Sequence, residues 1–333
     1  MQYITKRLLF LFPVMLGVLV VTFFIARILP GDPLFLMLGK EIDQDLIDRT
    51  RAEMGLDKPV VTQFYIYVRG VLSGDLGMAW HTGNPVTYDM KFRFPATFEL
   101  TTLGLLVSVA VSIPFGVIAA VRRDGVLDHM CRGVSLVGVS LPSFWLGLVL
   151  IYFLFYKLHI FPPPLGRGPI GFALPRITGL YLVDSLLTGN IGAFFTSLRY
   201  ITLPMVTLAL VNMAPLTRLT RSSMIEVLGA DYVRSARAAG ISERIVTYRL
   251  ALKNALLAPV TMIGLMYGQL LAGTVIAETI FSWPGLGLWA VNAAASNDYA
   301  PIQAFALLAA VLRVIVFLIV DLVYFAIDPR IRY

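Results

Sequence analysis

The chain has few of the residues that carry most protein chemistry. Its 333 residues include one cysteine and three histidines, and only 14% are charged. The single cysteine, Cys131, excludes an intrachain disulfide, and His81, His129 and His159 are too scattered for a metal site. The sequence contains no G-x-x-x-x-G-K-[ST], H-E-x-x-H or G-x-S-x-G motif. It therefore predicts no ATP-binding loop, metal or cofactor in this chain and no catalytic residues.

Apolar residues dominate the chain. They make up 58% of it, a share that is typical of a membrane protein when it falls in long unbroken runs. The net charge of +7 would also suit nucleic acid. In so apolar a chain, Lys and Arg retained on cytoplasmic loops explain the charge better. We expect membrane lipid around the protein and no nucleic-acid partner.

Six apolar runs have about the 20 residues that a helix needs to cross the hydrocarbon core. Backbone groups in lipid must be satisfied within the segment, so each run predicts a helix. The predicted fold is therefore all-α with six transmembrane helices. They are Leu8–Leu29, Thr97–Val121, Val134–Tyr156, Ile201–Leu219, Ala255–Ile280 and Ile302–Ile327.

The basic residues of the connecting segments predict which side of the membrane each occupies. Basic residues lie before span one, between spans two and three, between spans four and five, and after span six. The segment 282–301, which connects spans five and six, has none. This alternation predicts both termini in the cytoplasm. The basic residues used are Lys6, Arg7, Arg122, Arg123, Arg132, those within 217–254, Arg330 and Arg332.

Three regions follow from these spans: residues 1–29, an external loop at 30–96, and a core at 97–333 with five spans. The external loop carries two helical patterns, Glu41–Met54 and Val60–Leu72. The apolar stripe of the second either packs on the membrane domain or forms an external docking face for a soluble partner. The second outer loop, 159–199, has several prolines and glycines and is expected to be irregular with one surface helix.

Segment 217–254 is a polar, Arg-rich stretch between two apolar spans. Its centre predicts a short helix in which Asp231 caps the start and Gly240 ends it. Small residues allow close docking, and the arginines suit acidic or carbonyl groups of a partner or anionic lipid. The segment is therefore either a lever for another protein or a basic loop that faces lipid. The residues expected to act there are Asp231, Tyr232, Arg234, Ser235, Ala236, Arg237, Ala239 and Gly240.

Polar residues inside the predicted spans are the other candidates, because such residues are costly in lipid. Arg27 and Glu99 lie near span ends and are expected to extend toward the interface. Arg313 lies mid-span, and Asp321 follows eight residues later on the same face. Two roles stay open for Arg313, a salt bridge at an interface between helices and a pore-lining role.

Span five combines small and polar residues. The spacing of Gly264 and Gly268 lets another helix approach closely. Tyr267, Gln269 and Thr274 supply polar groups suited to a pathway lining, although helix packing alone would explain the glycines.

Several short motifs occur in order along the chain. The stretch Arg234-Ser235-Ala236 followed by Gly240 resembles the cytoplasmic EAA loop of ATP-binding-cassette (ABC) importer permeases, with Arg in place of the usual Glu. The whole set is similar to the first permease subunit, DppB/OppB-like, of the dipeptide/oligopeptide/nickel ABC importer family. The other motifs are Pro30–Pro33, Gly55–Pro59, Gly74–Gly77, Glu278–Gly287, Asp321–Tyr324 and Asp328–Arg332.

The resemblance implies a type I ABC importer permease fold in the bacterial inner membrane. It implies four kinds of partner: a homologous second permease, two ATPase subunits, an external substrate-binding protein and lipid. ATP and Mg would bind the ATPases, and segment 217–254 would carry their motion into the pathway. Peptide is the expected cargo, with nickel, glutathione or a glycoside as alternatives. A channel or a secondary transporter is the competing class, although no internal repeat supports the latter.

Overall fold

The structure is a computed structural model that describes residues 13–24, 49, 51–52 and 57–327, without the side chains of 137, 139, 321 and 323–327. Span one is described only as far as 13–24, and the predicted helix Glu41–Met54 falls almost entirely outside these residues. The helices are α1 Pro13–Phe24, α2 Val60–Leu72, α3 Val86–Val121, α4 Val126–Ser140, α5 Ser143–Leu150, α6 Tyr181–Leu187, α7 Ile191–Leu228, α8 Asp231–Ala238, α9 Glu243–Ile245, α10 Leu252–Ala255, α11 Leu257–Gly273, α12 Val275–Ile280, α13 Leu286–Ala295 and α14 Tyr299–Ile327. Two π-helical segments, Ile151–Lys157 and Val246–Ala251, follow α5 and α9, and strands β1 Met78–Ala79 and β2 Asn84–Pro85 form a small antiparallel hairpin.

The fold is helical, as predicted, but the described residues contain fewer uninterrupted spans than six. Three helices are long and apolar enough to cross a membrane: α3, α7 and the Tyr299–Val320 part of α14. A fourth span exists if Glu243–Ala255 and Leu257–Gly273, which meet at 50°, cross together. The described structure therefore confirms the helical class without confirming the count of six.

Two predicted spans are interrupted. The predicted helix Val134–Tyr156 stops at Ser140 and restarts at Ser143. Pro142 lacks a backbone N–H and disfavours the helical conformation in the residue before it, which accounts for the break. The predicted helix Ala255–Ile280 breaks at Leu256 and again at Thr274.

Two helices begin earlier in the chain than the sequence predicted. Helix α3 begins at Val86, within what was expected to be the external loop, and α7 begins at Ile191, where the sequence suggested an irregular loop. The side chain of Asn190 accepts a hydrogen bond from the backbone N–H of Ala193 and so caps α7. Hydropathy marks only the lipid-length part of such helices, so their polar first turns were missed.

Helices α3 and α7 are parallel and pack through small residues. A Cβ on Gly104 would lie 3.1 Å from Leu208 Cβ, and a Cβ on Gly116 would lie 2.7 Å from Thr220 Cβ. Between these glycines, Ser108 donates a hydrogen bond to the carbonyl of Ala209 over 3.1 Å. Small residues let backbones approach this closely when lipid provides no hydrophobic driving force. Most of the other described helices pack against α3, α7 or both.

Gly264 and Gly268 of α11 lie where another helix approaches closely, as predicted. A Cβ on Gly264 would lie 1.9 Å from Val320 Cγ2, and one on Gly268 would lie 3.6 Å from Arg313 Cγ. Helix α14 therefore packs closely against α11. The predicted G-x-x-x-G contact is confirmed, with α14 as its partner.

The apolar stripe of α2 is divided between packing and exposure. Phe64 lies against Phe23 of α1, with ring centroids 5.2 Å apart, and the Tyr67 hydroxyl is 3.4 Å from Thr22 Oγ1. Val61 and Tyr65 remain largely exposed, at 80% and 64%. The stripe thus packs on the membrane domain along one edge.

Candidate coupling segment and pathway residues

Helix α8 is a short exposed helix that follows directly after the long helix α7. One side chain, Val233, is fully buried and anchors it, with Ala236 half-buried one turn later. Every other residue of Asp231–Ala238 is exposed. The structure therefore presents most of the expected coupling residues on an accessible surface, and the residue that holds them there was not singled out from the sequence.

The start of α8 differs from the prediction. Ala230 occupies the N-cap position and Asp231 is the first helical residue, so the expected capping hydrogen bond from Asp231 is wrong. The Asp231 carboxylate instead lies in the first turn, 3.6 Å from Arg234 Nη1. An acid in this place still interacts favourably with the partial positive charge of the helix N-terminus.

The end of α8 is set by Gly240. Its φ is +77°, in the left-handed region, and the backbone N–H of Ile241 bonds back to the Ala236 carbonyl over 3.2 Å. This is the hydrogen bond by which a helix closes at a C-terminal glycine. A Cβ at Gly240 would meet no atom within 4 Å, so the requirement for glycine is one of backbone conformation rather than space.

Two polar contacts connect α8 to the chain that leads into α11. Arg237 donates to both carboxylate oxygens of Glu243 at 2.7 and 3.2 Å, across the Gly240 turn. The Tyr232 hydroxyl accepts a hydrogen bond of 2.8 Å from the Asn254 side chain. Between Glu243 and Asn254 lies the π-helical segment Val246–Ala251, a geometry that is common at functional sites. These contacts join α8 to the segment that leads into α11.

A buried ion pair lies on the same part of α7. The Asp128 carboxylate, in the first turn of α4, receives two hydrogen bonds from Arg221, one of them 2.7 Å long. Asp128 is fully buried, and Arg132 lies 3.5 Å away on its own helix. The Arg221 hydrogen bond lowers the pKa of Asp128 to about 2, so the carboxylate is ionised at neutral pH. Sequence reasoning missed this pair because its partners are far apart in the chain.

The candidate pathway residues are not gathered into one site. The Tyr267 hydroxyl lies 2.8 Å from Thr102 Oγ1 of α3, and the Thr274 hydroxyl donates to Glu278 over 2.9 Å. Gln269 and Arg313 are exposed. Arg313 forms no ion pair among the described residues, and the side chain of Asp321 lies outside them.

The structure also reveals a buried polar network that the sequence did not. Glu99 is buried and pairs with Arg167, so the expectation that it extends to the interface is wrong. Arg167 is 8% exposed, lies 3.6 Å over the Tyr181 ring and donates to the Gly179 carbonyl. Nothing in the Gly166-Arg167-Gly168 turn predicted burial, because the partner is 68 residues away.

The sequence matches two family models that together cover almost all of it. Residues 112–333 match the binding-protein-dependent transport system inner membrane component, and residues 1–101 match the N-terminal part of such membrane components. The chain belongs to this family. It is therefore a permease component of an ABC importer and a multi-pass protein of the inner membrane.

Related proteins agree with the assignment over the full length. The chain is 41% identical to the probable D,D-dipeptide transport system permease of Escherichia coli K12, over 96% of this chain and 94% of that protein. It is 40% identical to the dipeptide transport system permease of the same organism, over 100% and 99%. A glutathione transport system permease of Pectobacterium atrosepticum is 38% identical, over 100% and 99%.

A solved structure supports the fold. The inward-facing MetNI methionine ABC transporter matches with a TM-score of 0.52 at 14% identity, over 72% of this chain and 97% of that one. At this identity the match speaks for the fold alone. Membership in the family implies that transport also needs ATPase, substrate-binding and further permease subunits.

Proposed function

We propose that this chain forms half of a peptide pathway and is driven through helix α8 by separate ATPase subunits. The supporting observation is that an exposed helix, fixed by Val233, is joined by Tyr232 and Arg237 to the segment that leads into α11. A push on α8 would therefore reach α11. This arrangement suits a lever better than a loop that only faces lipid.

The proposed assembly contains four other proteins. A homologous second permease completes the pathway, and an external binding protein delivers the cargo. One ATPase binds α8, and the other binds the corresponding helix of the second permease. ATP and Mg belong to the ATPases, and the transport subunit itself hydrolyses nothing. The exposed Arg234 and Ser235 of α8 offer donors to acidic or carbonyl groups of the ATPase.

Dipeptides are the proposed cargo because two of the relatives named above are dipeptide permeases. Glutathione is the second candidate, since one relative of nearly equal identity is a glutathione permease. The test is uptake of radiolabelled L-alanyl-L-alanine by the full complex in proteoliposomes, with D-alanyl-D-alanine and glutathione as competitors. Uptake of radiolabelled glutathione by a complex that takes up no L-alanyl-L-alanine would exclude the dipeptide assignment.

Cysteine crosslinking tests the coupling role. In a background with Cys131→Ser, Ser235→Cys, Ala236→Cys and Ala239→Cys would each be treated with a short bifunctional thiol reagent in the assembled complex. We expect crosslinks to an ATPase subunit that change in yield when ATP is trapped. Ser73→Cys, an exposed serine just after α2, is the matched control and should not crosslink. Failure at all three positions, two in α8 and one directly after it, would exclude docking of the ATPase on α8.

A further inference from the structure

Glu278 is a fully buried carboxylate at the junction of three helices. It belongs to α12 and is 0% exposed. Its Oε1 accepts hydrogen bonds from the hydroxyls of Thr97 and Thr274, at 2.7 and 2.9 Å, and its Oε2 accepts one from the backbone N–H of Leu288 at 2.9 Å. Three hydrogen bonds therefore hold the Glu278 carboxyl group between α3, α12 and α13.

Thr97 connects this carboxylate to α3. While its hydroxyl donates to Glu278, the same oxygen accepts the backbone N–H of Leu286, the first residue of α13. One residue earlier, the Ala96 carbonyl accepts a hydrogen bond of 2.8 Å from the Trp283 indole. Helix α13 and the turn before it are thus bound to α3 by polar contacts buried on both sides.

The turn before α13 leaves no room around the carboxylate. A Cβ on Gly285 would lie 2.4 Å from Glu278 Oε1, and one on Gly287 would lie 2.8 Å from the Val275 Cα. The Trp-Pro-Gly-Leu-Gly motif thereby acquires a physical role, because both of its glycines admit the backbone close to Glu278. We call Thr97, Glu278 and the segment 281–288 the Glu278 clamp.

The clamp is separated from α11 by a break. Helix α11 ends at Gly273, and Thr274 has a ψ of 13°, outside the helical range, before α12 begins. At its other end α11 meets the coupling segment through the 50° bend at Leu256. Helix α11 is therefore bounded by a break at each end, and between the two breaks it contacts α3 through Tyr267 and Thr102.

We propose that Glu278 is a positioning residue that joins α3 and the α12–α13 unit through Thr97, so that motion of α11 stops at Thr274. This rests on the proposed coupling function, because the motion is the one that α8 delivers. Without the clamp, α12 and α13 would move together with α11. The displacement that starts at α8 would then no longer move α11 relative to α12 and α13. ATP hydrolysis would then continue with little transport.

Substitution at Thr97 tests the clamp in the complete transporter. Thr97→Val keeps the shape but removes the hydroxyl that joins Glu278 to Leu286, whereas Thr97→Ser retains it. The matched control is Thr101→Val, on the same helix and equally buried, whose hydroxyl bonds to its own helix at the Thr97 carbonyl. We expect Thr97→Val to lower the dipeptide transported per ATP hydrolysed by about tenfold, the effect of one unsatisfied buried group, while Thr97→Ser and Thr101→Val change it less than about twofold.

Distances between spin labels show whether the unit is rigid. Labels at Phe92→Cys of α3 and Asn292→Cys of α13 should keep one distance with and without trapped ATP, whereas the distance from Leu265→Cys of α11 to Asn292→Cys should change. In the Thr97→Val background, the distribution of the Phe92–Asn292 distance should become broader. A changing Phe92–Asn292 distance in the wild-type background, or an unaltered transport ratio in Thr97→Val, would overturn the clamp. The α8 crosslinks decide separately whether the coupling function itself holds.

Discussion

Arg221 of α7 holds the carboxylate of Asp128, fully buried in the first turn of α4, by two hydrogen bonds. Arg221 lies seven residues before the end of α7, which leads directly into α8. The pair therefore fastens α4 to the part of α7 that leads into α8. Removing one member leaves the other charge without its partner, and this is costly in a buried position.

Asp128→Asn should destabilise the chain in a pH-dependent way. An unfolded Asp has a pKa of about 3.9, and Arg221 lowers that of Asp128 to about 2, so its stabilisation is complete above about pH 4 and is lost as the pH falls toward 2. The difference in thermal unfolding midpoint between wild type and Asp128→Asn should be constant from pH 7 to 5 and shrink below pH 4. A difference that does not depend on pH would show that the charge is not responsible.

Gly240→Val should abolish ATP-driven uptake while the protein still reaches the membrane. An L-residue at this φ costs about 1–2 kcal/mol, and a β-branched side chain costs more. Asn tolerates the left-handed region, so Gly240→Asn should retain much of the activity. Gly229→Ala is the control, because that glycine has an ordinary φ of −84°. Uptake and membrane content are measured together, and normal uptake by Gly240→Val would refute the lever.

Gly116→Ala should weaken the α3–α7 pair. The new methyl group would lie 2.7 Å from Thr220 Cβ and 2.9 Å from the Thr217 carbonyl oxygen, an overlap that costs about 1–3 kcal/mol. Gly133→Ala on α4 meets nothing within 4 Å and serves as the matched control. Thermal stability of the purified protein in detergent should fall for the first variant alone. Equal stability of both variants would contradict the close packing.

Arg167→Met should destabilise the protein strongly, because it leaves the buried Glu99 carboxyl group without its ion-pair partner. The expected loss is about 3–5 kcal/mol. Arg176→Met is the control, since Arg176 also lies over an aromatic ring, that of Phe92 at 3.7 Å, but on an exposed surface. Protease resistance of the 159–190 segment in the two variants measures the difference. The double variant Glu99→Gln with Arg167→Met should recover part of the loss.

The sequence predicted features whose cause lies within a few residues. Helix α8, the glycine that ends it, helix α2 and the Gly264–Gly268 packing face all follow from local spacing, and the structure contains each of them. The prediction of continuous helices was wrong where a proline or a polar residue divides an apolar run, as at Pro142 and Thr274. Hydropathy is averaged over many residues and does not detect such breaks.

Contacts between distant segments were beyond prediction from the sequence. Glu99 finds Arg167 across 68 positions, and Glu278 finds Thr97 across 181. A carboxylate in an apolar run has the same local pattern whether it reaches the interface or is buried with a partner. The motif around Trp283 could have indicated such a site, since two glycines beside an acid suggest close backbone approach.

Arg313 is exposed near the middle of the largely apolar helix α14, with its aliphatic stem beside Gly268. A helix with this side chain is unsuited to being surrounded by acyl chains alone. We therefore expect the chain to be degraded faster in a cell that makes it without the proposed second permease than in a cell that makes both.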